Sequence, residues 1–95
     1  MTINGVTHLP PETSHRLALF ARRLQRAREE RRWTQDRLTR VADLDISTFQ
    51  SVEMGDPAIP IGAYLAVLWA LDLDADIDNL APPATLPANP IDTNF

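Results

Sequence analysis

The chain contains no cysteine and no lysine. The first absence excludes disulfides and thiolate chemistry, and the second leaves arginine as the only permanently cationic side chain. No apolar run approaches the ~18 residues of a membrane span, so no membrane association is expected. The opening Met-Thr-Ile-Asn-Gly lacks the basic and apolar blocks of a secretory signal, which makes the cytoplasm the expected location. Only two histidines occur, His8 and His15, and neither belongs to a metal-ligand cluster. Ser14-His15 reads as a helix start rather than as a nucleophile with its base. No glycine-rich phosphate loop is present. The aspartates at 72, 74, 76 and 78 alternate as the first ligands of a calcium loop do, but no glycine turns the loop and no glutamate closes it. No metal, no cofactor and no enzymatic activity are therefore expected.

What is present is an ordinary globular composition over 95 residues, 44% hydrophobic and 23% charged, enough for one modest core. The formal charge of −4 conceals a division. All nine cations are arginines between Arg16 and Arg40, alongside four acids, whereas residues 41–95 hold nine acids and no lysine or arginine. One surface thus suits an anionic partner and another suits something else, such as a basic protein.

Residues 1–13 read as an arm, with Pro10-Pro11 placed so that Pro11 can open a helix. Leu17, Phe20, Ala21, Leu24 and Ala27 recur at spacings of three and four, which predicts a first helix reaching about Arg31. Thr34 is a plausible N-cap for a second helix over about 34–42, with Asp36 in its first turn and Leu38, Val41 and Ala42 facing inward. Asp45 can cap a third helix at about 46–54, with Phe49 and Val52 inward and Gly55, Pro57 and Pro60 ending it. Residues 61–71 are apolar almost all the way round, which predicts a fourth helix buried on two sides, a dimer interface through Tyr64, Leu68, Trp69 and Leu71 being the simplest second side. Asp74, Asp76 and Asp78 favour the first turn of a last short helix before Leu80. Pro82, Pro83, Pro87 and Pro90 mark 81–95 as a tail expected to be disordered. The domain proper is expected over 14–80.

The second and third helices have the sizes of a helix-turn-helix, two units of about eight residues around a turn of about four. With Phe49 inward at about 100° per residue, Ser47, Gln50, Ser51 and Met54 turn outward. These four and Ile46 are the candidate base contacts. Gln pairs with the N6 and N7 edge of adenine, Ser with several edges, and Ile or Met can touch a thymine methyl, so the set leans toward A·T-containing sequence. Phosphates need cations or backbone N–H groups, and the start of the second helix offers the latter. Gln35 is the leading phosphate contact, with Thr34, Arg37, Arg40 and Thr48 as further candidates. Arg22, Arg23, Arg26, Arg31 and Arg32 read equally well as solvated.

Thr34-Gln35, Leu38, Phe49, Val52, Glu53 and Gly55 resemble the pattern of the Xre/Cro family of phage and bacterial repressors. That resemblance implies an all-α, five-helix, lambda-repressor-like domain that binds double-stranded operator DNA as a homodimer. It also implies a structural ion pair between Arg28 and Glu53 that sets the angle between the first and third helices. Family members often carry glycine where this chain has Arg32, Asp43 and Asp72. Thr39 stands where alanine is usual, and Arg37 stands where a capping box would place Glu or Gln. Gly55-Asp56-Pro57 and the stretch from Gly62 to Leu71 resemble the HipB-like branch, antitoxins that repress their own operon and bind a HipA-like kinase toxin. Against DNA binding, the third helix contains no Arg or Lys while Asp43, Asp45, Glu53 and Asp56 lie close by. The competing expectation is a protein-interaction module on the repressor fold with weak or no operator binding.

Overall fold

In the computed structural model, residues 8–81 are described, and every regular element among them is helical. Four α-helices, α1 (Pro11–Glu30), α2 (Gln35–Ala42), α3 (Ile46–Met54) and α4 (Ile61–Ala70), are followed by a 3-10 segment at Asp74–Asn79. Residues 1–7 of the expected arm and 82–95 of the expected tail lie outside the described residues. No helix among the described residues is long and apolar enough to cross a membrane.

Local chemistry accounts for each boundary. Pro11 occupies the first position of α1, where a missing N–H costs nothing and φ is already helical. Thr34 caps α2 by accepting from the Arg37 N–H at 3.1 Å, and Asp45 caps α3 by accepting from the Thr48 N–H at 3.0 Å. α2 and α3 are joined by Asp43, Leu44 and Asp45 alone, the gap left by the expected helix bounds and compatible with a helix-turn-helix.

All four helices end in one way. The residues after their ends, Arg32, Asp43, Gly55 and Asp72, have φ between 57 and 73°. In each case the next N–H reaches back over the last turn: Trp33 to the Arg28 carbonyl, Leu44 to Thr39, Asp56 to Ser51 and Leu73 to Leu68. This is the Schellman arrangement, which satisfies otherwise orphaned carbonyls. The three positions where the resemblance expects glycine are left-handed, held by an arginine and two aspartates. Asp tolerates that conformation better than most residues, and Arg32 carries its steric cost.

The core is built from Leu24, Leu38, Phe49, Val52, Val67 and Leu71, with Trp33, Leu44 and Leu73 packed against it. A Phe buried as completely as Phe49 contributes roughly 1.5–3 kcal/mol. The inward stripe of α1 lies as expected, with Ala21, Leu24 and Ala27 buried. Two expectations need correction. Val41 is exposed, and Thr39 takes the inner position, its hydroxyl donating to the Asp36 carbonyl at 2.7 Å so that burial leaves no unpaired group. The second side of α4 is also supplied within one chain: α4 packs against α2, α3 and the 3-10 segment, Tyr64 stacks on Phe20 of α1, and Tyr64, Leu68 and Leu71 are all buried. Of the four residues expected at a dimer interface, only Trp69 is exposed.

At Gly55 a Cβ would sit 3.2 Å from the Ala18 Cα and from the Leu17 carbonyl oxygen, both backbone atoms of α1, at φ +73°. Gly55→Ala is therefore expected to destabilise the fold by about 1–3 kcal/mol, through left-handed strain and an unyielding contact together. The check is a thermal melt followed by circular dichroism, with a clear drop in midpoint expected.

Candidate nucleic-acid interface

The outer face of α3 is held at a fixed angle by a polar junction beneath it. Arg28, late in α1, donates from Nε to Glu53 Oε2 at 2.9 Å and from Nη2 to Oε1 at 3.4 Å, the expected ion pair. Its remaining arm donates from Nη1 to the Trp33 carbonyl at 2.9 Å. Gln35, at the start of α2, donates from Nε2 to Glu53 Oε1 at 3.3 Å. The two charged side chains are only 10% and 7% exposed. One guanidinium thus joins α1, the α1–α2 turn and α3, and among the described residues every buried side-chain nitrogen or oxygen has a hydrogen-bond partner. Such a pair need not add net stability over apolar residues, but breaking it strands a buried charge.

Above this junction Ile46, Ser47, Gln50 and Met54 are exposed, whereas Ser51, expected to turn outward with them, is half-buried. Met54 is 79% and Ile46 50% exposed, one at each end of a nine-residue helix whose other face fills the core. The hydroxyls of Ser47 and Thr48 both donate to the Asp45 carboxylate. These bonds and the Thr48 N–H hold the Asp45 carboxyl down at about 2, below its ordinary 3.8.

The phosphate candidates separate into different settings. The Thr34 hydroxyl is used as a cap, and Gln35 has one amide bond to Glu53. The Arg37 guanidinium lies over the Trp33 ring at 4.3 Å. Arg40 pairs with Asp36 at 3.1 Å on an exposed surface, a contact worth little. Thr48 is half-buried. Arg22, Arg26 and Arg32 are exposed, whereas Arg31 bridges two helix ends, donating to the Ala27 carbonyl at 2.8 Å and the Leu71 carbonyl at 3.0 Å. That bridge and the Gln35 bond to Glu53 went unforeseen. An arginine at a helix C-terminus is a signal for the first, whereas the second joins residues 18 apart and has no local signature.

Three of the four acids around α3 are occupied internally. Glu53 is matched by Arg28, Asp45 caps α3, and Asp56 Oδ1 accepts from the Ala58 N–H at 2.9 Å. Among the described residues no group of three or more His, Asp or Glu side chains is placed to hold a metal ion. The chain matches no family model, and no curated protein is similar to it in sequence.

Two tests follow from this geometry. Arg28→Ala should destabilise the domain by about 3–5 kcal/mol, and Arg28→Lys should recover little of it, because a lysine cannot reproduce the planar fork. An unchanged melting temperature in either variant would remove the structural role of the pair. Because the folded-state value of Asp45 is depressed, its contribution is complete above the ordinary 3.8 and is lost as pH falls toward about 2. Urea unfolding of Asp45→Asn and the parent chain should therefore differ at neutral pH and converge at the acid end of that window.

Proposed function

We propose that the chain is a sequence-specific DNA-binding transcriptional repressor of the Xre/Cro type, built on a lambda-repressor-like domain, cytoplasmic and acting as a homodimer on operator DNA. The observation that carries the reading is the outer face of α3. Ile46, Ser47, Gln50 and Met54 stand exposed on a short helix whose orientation is tied to α1 and α2 by the Arg28–Glu53 junction. An element that reads base edges needs this combination of exposed side chains and a rigid base. The left-handed conformations at Arg32, Asp43 and Asp72, where the family favours glycine, add support for the fold.

Within that family the reading extends to an antitoxin that represses its own operon and binds a HipA-like kinase toxin. The resemblance of 55–57 and 62–71 to the HipB-like branch supports it, as does the division of charge along the chain. α3 carries no cation to supply phosphate affinity, so attraction to DNA falls to the arginines of α1 and α2 and to a second subunit. With Tyr64, Leu68 and Leu71 buried, exposed Trp69 is the residue of the original set left to serve pairing. The lack of cations on α3 favours a second reading, a protein-interaction module without operator binding.

Titration of the DNA upstream of the chain's own gene at several salt concentrations separates the two. A repressor binds that DNA in preference to random duplex, loses affinity as salt rises, and with Gln50→Ala loses about 1–3 kcal/mol together with preference at one position. Equal affinity for random duplex at every salt concentration would reject operator recognition.

A further inference from the structure

A groove of about 670 Å³ lies between the first half of α1, the α3–α4 loop, α4 and the 3-10 segment. Leu17, Phe20, Ile61, Leu68, Ile77 and Leu80 are among the residues that line it. Two of them, Ile61 and Leu80, are 62% and 60% exposed, so bulky apolar surface lies open to water there. Single exposed apolar residues are ordinary, but several around one concavity mark a contact surface.

The charged residues of the groove are Asp56, Asp76 and Arg23. Arg23 sits against the Phe20 ring at 5.8 Å, and exposed Asp74 and Asp78 flank Asp76 in the 3-10 segment. The α4, loop and 3-10 walls belong to the part of the chain without any lysine or arginine, so on those sides the rim is purely acidic. We propose that this groove docks an amphipathic segment of a partner protein that carries bulky apolar side chains on one face and lysines or arginines beside them. The apolar walls supply the burial, and the aspartates select cations and reject an acidic segment.

The chain itself offers a poor match. Residues 1–7 contain no lysine or arginine, and residues 82–95 contain neither and one acid, Asp92. A second copy carries its arginines between Arg16 and Arg40, where the apolar stripe of α1 is already buried and only Leu19 stands exposed among the α1 arginines. The inference deepens the protein-partner half of the proposed function and rests on it only there. Its test contains neither DNA nor kinase, so operator binding can fail while it holds, and it can fail while operator binding holds.

The test uses the full 95-residue chain, isotope-labelled and followed by NMR. It is titrated with two synthetic helical peptides of roughly 16 residues that share leucines at i, i+3, i+4 and i+7 and differ only in carrying lysines or glutamates between them. The lysine peptide is expected to shift resonances of Phe20, Tyr64 and Leu80 and to weaken with salt, and the glutamate peptide to bind about tenfold or more weakly. Ile61→Asp and Leu80→Asp, at exposed positions, should each weaken the lysine peptide about tenfold. Asp76→Lys, also exposed, should weaken it and strengthen the glutamate peptide, and this variant decides the matter should either apolar replacement disturb folding. Absence of binding, equal binding of both peptides, or shifts confined to α3 would overturn the proposal. So would contacts from Leu86, Ile91 or Phe95 to Phe20 in the free chain, or groove resonances that move with protein concentration alone, because the occupant would then be the chain itself.

Discussion

The Arg28 guanidinium is the point on which the arrangement of α1, α2 and α3 turns. Its planar fork spans Glu53 with two bonds and still reaches the Trp33 carbonyl, so one side chain fixes the last turn of α1, the entry to α2 and the end of α3. The directionality of these bonds matters more than their net energy. Buried charge pairs approximately break even against apolar packing, but they tolerate few geometries. Around this polar centre the apolar core is free to be small. Phe49, Val52 and Leu38 fill the space beneath α2 and α3 without having to specify the angle between them.

The exposed face of α3 depends on that economy. A nine-residue helix that devotes Phe49 and Val52 to the core has little left to anchor it, and the Glu53 bonds supply what is missing. At its other end Asp45 gathers the Ser47 and Thr48 hydroxyls and the Thr48 N–H. The helix is capped at one end and tied to α1 and α2 at the other, and its exposed positions are left to meet a ligand. The negative charge of Asp45 favours the helix terminus electrostatically and at the same time opposes approach of a phosphate to that end.

Much of this is legible in the sequence because it is local. Proline and Thr34 before the first turns, Gly55 after α3, and the three- and four-residue recurrence of Leu17, Phe20, Ala21, Leu24 and Ala27 each act within a few residues. The bounds of α3 and the outward set from Ile46 to Met54 follow from periodicity and one cap. The Arg28–Glu53 pair came from resemblance, since nothing in spacing joins residues 25 apart. Where the reading fails, the deciding term is tertiary. An all-round apolar α4 signals two buried sides but not whether the second belongs to the same chain, and here Tyr64 donates to the Asp56 carbonyl at 2.9 Å and stacks beside Phe20 within it. Burial, with Asp56 nearby, also pushes the Tyr64 phenol up to about 12. Thr39 looks polar and outward until its hydroxyl is seen to be satisfied by its own helix, which lets it displace Val41 from the inner face.

The shared form of the four helix exits sets the phase of the whole chain. After each left-handed residue the chain continues at once into Trp33, Leu44, Asp56 or Leu73, three of them apolar anchors in contact with the core. Extending any of these helices by one residue would move the left-handed position onto a different side chain and draw an anchor out of its seat. Slippage by a single residue is thereby blocked at the three junctions that carry an anchor, and at the fourth the left-handed position would move off Gly55. The rotational setting of α3, and so the identity of the side chains it turns outward, is determined before any ligand arrives.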